Sequence, residues 1–150
     1  MARTRAADYD EKRKAILDQC SRLCADLGYD RTSMSRVAEA CGISKALLYH
    51  YYQSKDDLLF DIIESHLRDV IATLDEADDP GQPPQRRLRL LVGALLEAYR
   101  DADSDHKVQI NSLSNLSAER QAQLKDLERD LVVRFADVIR ALNPVSYTHL

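Results

Sequence analysis

The 150-residue chain has no tryptophan, two phenylalanines, four glycines and four prolines, and aromatic residues make up 6% of it. An all-β chain needs aromatic and β-branched strands punctuated by Gly and Pro turns, so that class is excluded and helix is the expectation. Cysteine is scarce as well. Three residues, an odd number, argue against a disulfide framework. No stretch approaches the roughly 18 uninterrupted apolar residues of a membrane span. The start, Met1-Ala-Arg-Thr-Arg-Ala-Ala-Asp8, lacks the apolar middle of a secretory signal, which places the protein in the cytoplasm. Catalytic signatures are missing too: there is no Gly-rich phosphate loop, HExxH or nucleophile elbow, and His50, His66, His106 and His149 are scattered. No catalytic residue, metal site or cofactor is therefore expected.

What is present is 45% hydrophobic and 31% charged residues, the balance of one globular domain or two small ones sharing a core. The net charge of -4 is unevenly spread. Residues 1–60 carry ten Lys/Arg against nine Asp/Glu, and residues 61–150 carry eleven against sixteen. Within 31–55 the cations Arg31, Arg36, Lys45 and Lys55 face the single anion Glu39. An acidic average thus conceals a locally basic window.

Ile16, Leu17, Cys20, Leu23, Cys24 and Leu27 recur at three- and four-residue steps and predict one face of a first helix, with Asp8 and Glu11 at its start and Gly28 at its stop. The two thiols of that stripe, like Cys41, read as small buried hydrophobes. Ser33 caps a short second helix with Val37, Ala38 and Cys41 inward, ending at Gly42. Ser44 caps another short helix, Lys45-Ala-Leu-Leu-Tyr-His-Tyr-Tyr52. Ser54 and Asp57 form a capping-box pattern before a long fourth helix running to Leu74. The stretch Asp75 to Pro84 reads as a loop. Three further helices are expected: Gln85 to Asp101 with Leu88, Leu91, Val92, Leu95, Leu96 and Tyr99 inward; a polar one over Asp105 to Leu116; and a long one from the Ser117 cap. The last has Leu124, Leu127, Leu131, Val132, Phe135, Val138, Ile139 and Leu142 inward and ends at Asn143-Pro144.

Two short capped helices joined through Cys41-Gly42-Ile43-Ser44 have the form of a helix-turn-helix, whose second helix can enter the DNA major groove. Gly42 supplies the positive φ of the reversal, and Ile43 plugs the angle between the helices. The outer face then offers Lys45, Ala46, Tyr49 and His50: a cation, a small contact for a thymine methyl, and two planar hydrogen-bonding groups. Lys55 adds a phosphate-type cation. A solvated helical hairpin in an all-α bundle is the competing reading, but it needs neither the paired caps nor four adjacent rings, Tyr49-His-Tyr-Tyr52, on one turn.

The stretch Ile16 to Leu67 resembles the N-terminal domain of the tetracycline-repressor (TetR/AcrR) family of bacterial transcriptional regulators. The resemblance lies in Ala25-Asp-Leu-Gly-Tyr29, Thr32-Ser33-Met34, Val37-Ala38, Cys41-Gly42-Ile43-Ser44, Leu48-Tyr49-His50-Tyr51-Tyr52 and Ser54-Lys55-Asp56-Asp57-Leu58. The family usually has Phe where Tyr52 stands, a departure not expected to disturb packing. The resemblance implies an all-α chain: a helix-turn-helix domain over 1–54 and a helical effector-binding and dimerisation domain over 55–143. It implies that Lys45, Ala46, Leu47, Tyr49 and His50 face bases or the groove wall, and that Ser33, Ser35, Arg36, Ser44, Tyr51 and Lys55 hold phosphates of double-stranded operator DNA. It also implies a homodimer and a small-molecule effector. Polar candidates for the effector pocket are His66, Tyr99, His106, Gln109, Asn111, Ser112 and Asn115; each alone reads equally as a solvated or locally capped side chain, and the set describes a pocket of mixed polarity. A ligand-responsive repressor is the leading reading, with a helical protein-protein adaptor and a small helical enzyme as alternatives.

The segment 144–150 carries no helical pattern. Val145-Ser-Tyr-Thr-His-Leu150 is what the codons GTC TCT TAT ACA CAT CTN encode, the terminal repeat of transposase-based sequencing libraries. Family members continue with two further helices that pair across a two-fold axis. The expectation is therefore a non-native tail, an incomplete second domain, weak dimerisation of the chain as written, and apolar helix faces left bare.

Overall fold

A computed structural model describes residues 2–143; the expected non-native tail at 144–150 lies outside the described residues. All regular structure among them is helical: α1 (Ala2–Leu27), α2 (Met34–Cys41), α3 (Lys45–Tyr51), α4 (Lys55–Ala77), α5 (Pro84–Arg100), α6 (Asp103–Ser112), a single 3-10 turn (Leu113–Asn115) and α7 (Ala118–Leu142). No described helix is long and apolar enough to cross a membrane.

Hydroxyl caps begin four of these elements, as the sequence predicts. Ser33 Oγ accepts from the Arg36 amide at 3.1 Å, Ser44 Oγ from Leu47 at 3.0 Å, Ser54 Oγ from Asp57 at 3.1 Å and Ser117 Oγ from Arg120 at 3.3 Å. Such caps satisfy amides that have no partner within the first turn, each contributing about 1 kcal/mol. Only half of the expected Ser54/Asp57 capping box forms by these bonds, because the Asp57 carboxylate instead takes the Arg120 guanidinium at 2.6 Å.

Several boundaries depart from expectation. α1 begins at Ala2 rather than near Asp8; its first turns are rich in Ala, Arg, Lys and Glu, strong helix formers that need no tertiary partner, and Asp8 pairs with Lys12 at 3.3 Å one turn on. α4 continues through Asp75 to Ala77, so the loop is shorter than Asp75 to Pro84. Arginines clamp both edges of that acidic stretch. Arg134 holds Asp75 through two bonds of 2.6 and 2.9 Å, and Arg87 holds Asp78 through two of 2.9 and 2.8 Å. Both carboxyls sit below their ordinary range, chiefly through these guanidinium hydrogen bonds. α6 starts at Asp103 and gives way to the 3-10 turn after Ser112.

The described residues pack as two compact units, the first comprising 2–63 together with Ser104–Gln121, the second Glu64–Asp103 together with 122–143. In the first, Ile16, Leu17, Cys20 and Cys24 of α1, Val37 and Ala38 of α2, Leu48 of α3 and Leu58, Leu59, Ile62 and Ile63 of α4 are buried, with Val108 and Leu116. Each such aliphatic side chain contributes about 1.5–3 kcal/mol by leaving water. Besides the Arg120–Asp57 pair, polar ties between its helices include buried Ser21, which donates to Asp105 at 2.5 Å, and Asp61, which accepts from both Arg13 and Tyr52 at 2.5 Å.

In the second unit Val70, Leu74, Leu91 and Val138 form the buried centre, with Leu88, Leu95, Tyr99, Leu131 and Phe135 packed around it. Four residues expected inward are exposed: Val92 at 42%, Leu96 at 68%, Val132 at 60% and Ile139 at 51%. Apolar periodicity marks a broad arc on α5 and α7, and the partners within the unit cover only one side of it.

Candidate nucleic-acid interface

The geometry begins with Gly42. Its φ of 66° lies in the left-handed region, its amide donates to Glu39 O at 3.1 Å and the Ile43 amide to Ala38 O at 3.0 Å, the paired bonds of a Schellman turn. This stops α2 and reverses the chain so that Ser44 can open α3 at once. Val37 and Leu48, both with no exposed surface, key the two short helices into the first unit. With Leu48 buried, the helical period turns residues 45, 46, 49 and 50 outward.

Lys45, Ala46, Leu47, Tyr49 and His50 are all exposed, as are Ser33, Ser35, Arg36 and Ser44. Leu47 and Tyr49 keep 40% and 42% of their surface, a disposition with no benefit to an isolated fold. The Lys45 ammonium lies 6.0 Å from the Tyr49 ring centre, the outer limit of cation–π attraction, so it is steadied without being neutralised. Ser33 and Ser44 use their oxygen lone pairs as caps, and each hydroxyl keeps its proton for a phosphate oxygen.

Tyr51 and Lys55 are held more tightly. Tyr51 is half-buried, stacked on Tyr9 of α1 with ring centres 4.8 Å apart and planes 22° from parallel, and His50 meets its edge at 6.1 Å. Tyr9 carried no signal in the sequence because α1 was expected to begin only near it. Lys55 donates to the Tyr29 carbonyl at 2.9 Å and lies 4.0 Å over the Tyr29 ring, while the Tyr29 hydroxyl donates to Asp56. Two of its three ammonium hydrogens remain for other acceptors. Ile43 is half-buried rather than a complete plug, and with Ile16, Cys41, Leu47 and Tyr51 it lines a small apolar cavity of about 250 Å³.

Tyr52, by contrast, turns inward. It is 7% exposed and donates to Asp61 at 2.5 Å, so the departure from Phe supplies a hydrogen bond between the end of α3 and α4. Burial first, and then this bond, push its phenol above the ordinary range.

The expected effector residues fall in both units. His66 is buried and its ring lies 5.6 Å from that of Tyr99 in the second unit. Asn111, Ser112 and Asn115 belong to the first, where they line a cavity of about 300 Å³ with Lys107 and the Cys24-to-Arg31 end of α1 and its loop. His106 and Gln109, on α6, are half-buried in that unit. Among the described residues no group of three or more His, Cys, Asp or Glu could hold a metal ion.

The sequence pattern described as "Bacterial regulatory proteins, tetR family" matches residues 16–62, and that of "Tetracyclin repressor-like, C-terminal domain" matches 81–145. The chain belongs to the tetR family. The N-terminal tetR pattern spans α2, the Gly42 turn and all of α3. Among curated relatives, the chain is 33% identical over 94 residues to the uncharacterized HTH-type transcriptional regulator YerO of Bacillus subtilis (strain 168), covering 61% of this chain and 32% of YerO. It is 27% identical over 131 residues to the HTH-type transcriptional repressor KstR2 of Rhodococcus jostii (strain RHA1), covering 87% of this chain and 64% of KstR2. Among solved structures it is similar to AibR in complex with isovaleryl coenzyme A and operator DNA, at a TM-score of 0.77 and 26% identity, covering 89% of this chain and 72% of AibR. The aligned stretch spans less than two thirds of either curated relative. YerO is named a transcriptional regulator and KstR2 a transcriptional repressor.

Proposed function

We propose that the chain is a ligand-responsive transcriptional repressor of the cytoplasm, in which α3 reads the major groove of a palindromic double-stranded operator and two copies act as a homodimer. The observation that carries this reading is the outer face of α3: Lys45, Ala46, Tyr49 and His50 exposed together, at a fixed angle to α2, by a left-handed glycine and a serine cap. Lys45 and His50 address base edges, Ala46 and Leu47 the thymine methyl or groove wall, and Ser33, Ser35, Arg36, Ser44, Tyr51 and Lys55 the phosphates. Repression is supported by the likeness to KstR2, named as a repressor, and response to a small molecule by the likeness to AibR, solved with a coenzyme A ester and operator DNA together. His66 and Tyr99, and separately the cavity beside Asn111, Ser112 and Asn115, are the polar groups offered to an effector, with His106 and Gln109 on the helix beside it.

Titration of DNA from upstream of the chain's own gene, at several salt concentrations, tests the reading. Arg36→Ala should weaken binding to all sequences alike and lower the salt slope by about one unit. Lys45→Ala should reduce discrimination against a wrong base by about 1–3 kcal/mol. Unchanged affinity, slope and discrimination in both variants would sink the assignment.

A further inference from the structure

The first unit contains a chemical feature that DNA reading does not use. Cys20 and Cys24 lie one turn apart on α1 with their sulfurs 4.0 Å from each other, and both are buried. Cys24 also lines the cavity of about 300 Å³ at the end of α1, whose rim carries Arg31 and Lys107 against the single acid Asp30. The two residues are therefore placed differently: Cys20 is backed by the core, and Cys24 is part of the wall of a polar, net cationic space.

The surroundings make the two sulfurs unequal. The hydrogen bond shared with Cys20 lowers Cys24 to about 7 against the opposing effect of burial; the Thr32 hydroxyl and the Lys55 ammonium lower it further. Cys20 is pushed well above the thiol range by that same hydrogen bond and by burial. Burial also raises Cys41. Thr32, which has no exposed surface, donates at rest to the Gly28 carbonyl at 2.9 Å, and its one proton can turn to a thiolate instead. Other charged and titratable groups around the pair include Cys41 at the end of α2, Lys55 at the start of α4, Asp105 of α6, which accepts from Ser21 between the two cysteines, and, beside the cavity, Tyr29, Asp30, Arg31 and Lys107.

We propose that Cys24 is a covalent modification site for small anionic electrophiles of the α,β-unsaturated carbonyl class, admitted through the cavity between the end of α1 and α6. The sulfur lone pair forms the S–C bond at the β-carbon, the C=C pair moves to the enolate, and a water proton completes the α-carbon. The sum is addition of S–H across the double bond, with no oxidant consumed. An internal disulfide is the alternative fate, and helix geometry opposes it: residues four apart on a helix hold their Cβ atoms about 5–6 Å apart, whereas a disulfide needs about 3.5–4.5 Å. Arg31 and Lys107 favour an electrophile that carries a carboxylate, and Asn111 and Ser112 supply neutral hydrogen-bonding groups beside them. The assignment is independent of whether α3 binds DNA.

The test is labelling of the native 150-residue chain with two defined probes, neutral N-ethylmaleimide and anionic 3-maleimidopropionate, followed by intact mass and peptide mapping across pH. The expected result is a single adduct on Cys24 at early times, with a rate that rises with the thiolate fraction, reaches half its maximum near pH 7 and levels off about one to two pH units higher, below where an ordinary free thiol does so. The anionic probe should react about tenfold faster at low salt, an advantage that added salt removes. Cys20→Ala should move the plateau to higher pH while the chain stays folded by circular dichroism. First labelling at Cys41, labelling of all three cysteines only on unfolding, or a faster neutral probe would each overturn the proposal.

Discussion

Replacing Gly42 by alanine isolates the contribution of a single backbone angle to the reading head. With φ at 66°, a Cβ added there would meet no heavy atom within 4 Å, so the substitution introduces no clash and acts only through conformation. An alanine in the left-handed region costs about 1–2 kcal/mol. Loss of freedom in the unfolded chain returns about 0.4–1 kcal/mol, leaving a net destabilisation of about 1 kcal/mol. Gly93 provides the internal control. It lies within α5, and a Cβ there also has open space within 4 Å, so Gly93→Ala should stabilise by about 0.8–1 kcal/mol. The same methyl group thus acts with opposite sign at two open positions, a difference of about 2 kcal/mol decided by φ alone. Urea denaturation followed by far-UV circular dichroism measures both; in thermal melts each kcal/mol corresponds to about 2–4 °C. A Gly42→Ala chain as stable as the parent, or two variants shifting in the same direction, would refute the reasoning.

Ser44→Ala should destabilise by about 1 kcal/mol and Ser44→Gly by only a few tenths; urea midpoints decide, and equal losses would mean that the hydroxyl bond to Leu47 contributes nothing. Tyr52→Phe removes the donor to Asp61 and leaves Arg13 there, with an expected loss of about 1 kcal/mol, and an unchanged urea midpoint would show the phenol to be idle. Because Tyr29 and Tyr52 both titrate above their ordinary value when folded, through burial and then through bonds to Asp56 and Asp61, their neutral forms favour the native state. The contribution is complete below the unfolded value of about 10 and is lost as pH rises beyond it. Stability should accordingly fall above about pH 10, less steeply in Tyr52→Phe; a flat profile there would contradict the assignment.

Much of the architecture is written in local chemistry. The Ser33, Ser44 and Ser117 caps, the Gly28 and Gly42 stops and the apolar steps of α1 and α4 act within a few residues of each other, so they are legible from order alone. The outward set Lys45, Ala46, Tyr49 and His50 follows from the same periodicity once Leu48 is inward. Other features depend on what lies across the fold. Local propensity alone let α1 run back to Ala2, and it took the folded chain to show that this places Tyr9 against Tyr51. Lys55 reads in sequence as a phosphate-type cation, and packing placed its ammonium on Tyr29. Tyr52 and Phe have similar shape and hydropathy, so only the arrival of Asp61 from α4 gives the hydroxyl a partner. Cys20 and Cys24 share an apolar stripe and look alike in sequence; the cavity that Cys24 lines, and the Thr32 hydroxyl and Lys55 ammonium that act on its sulfur, set the two thiols apart. The sequence by itself determined the helices, their caps and the face α3 turns to solvent, because those depend on short-range sterics and period. The tertiary structure decided which polar groups meet, and so their charge and reactivity, because desolvation and hydrogen bonding are set by neighbours distant in the chain.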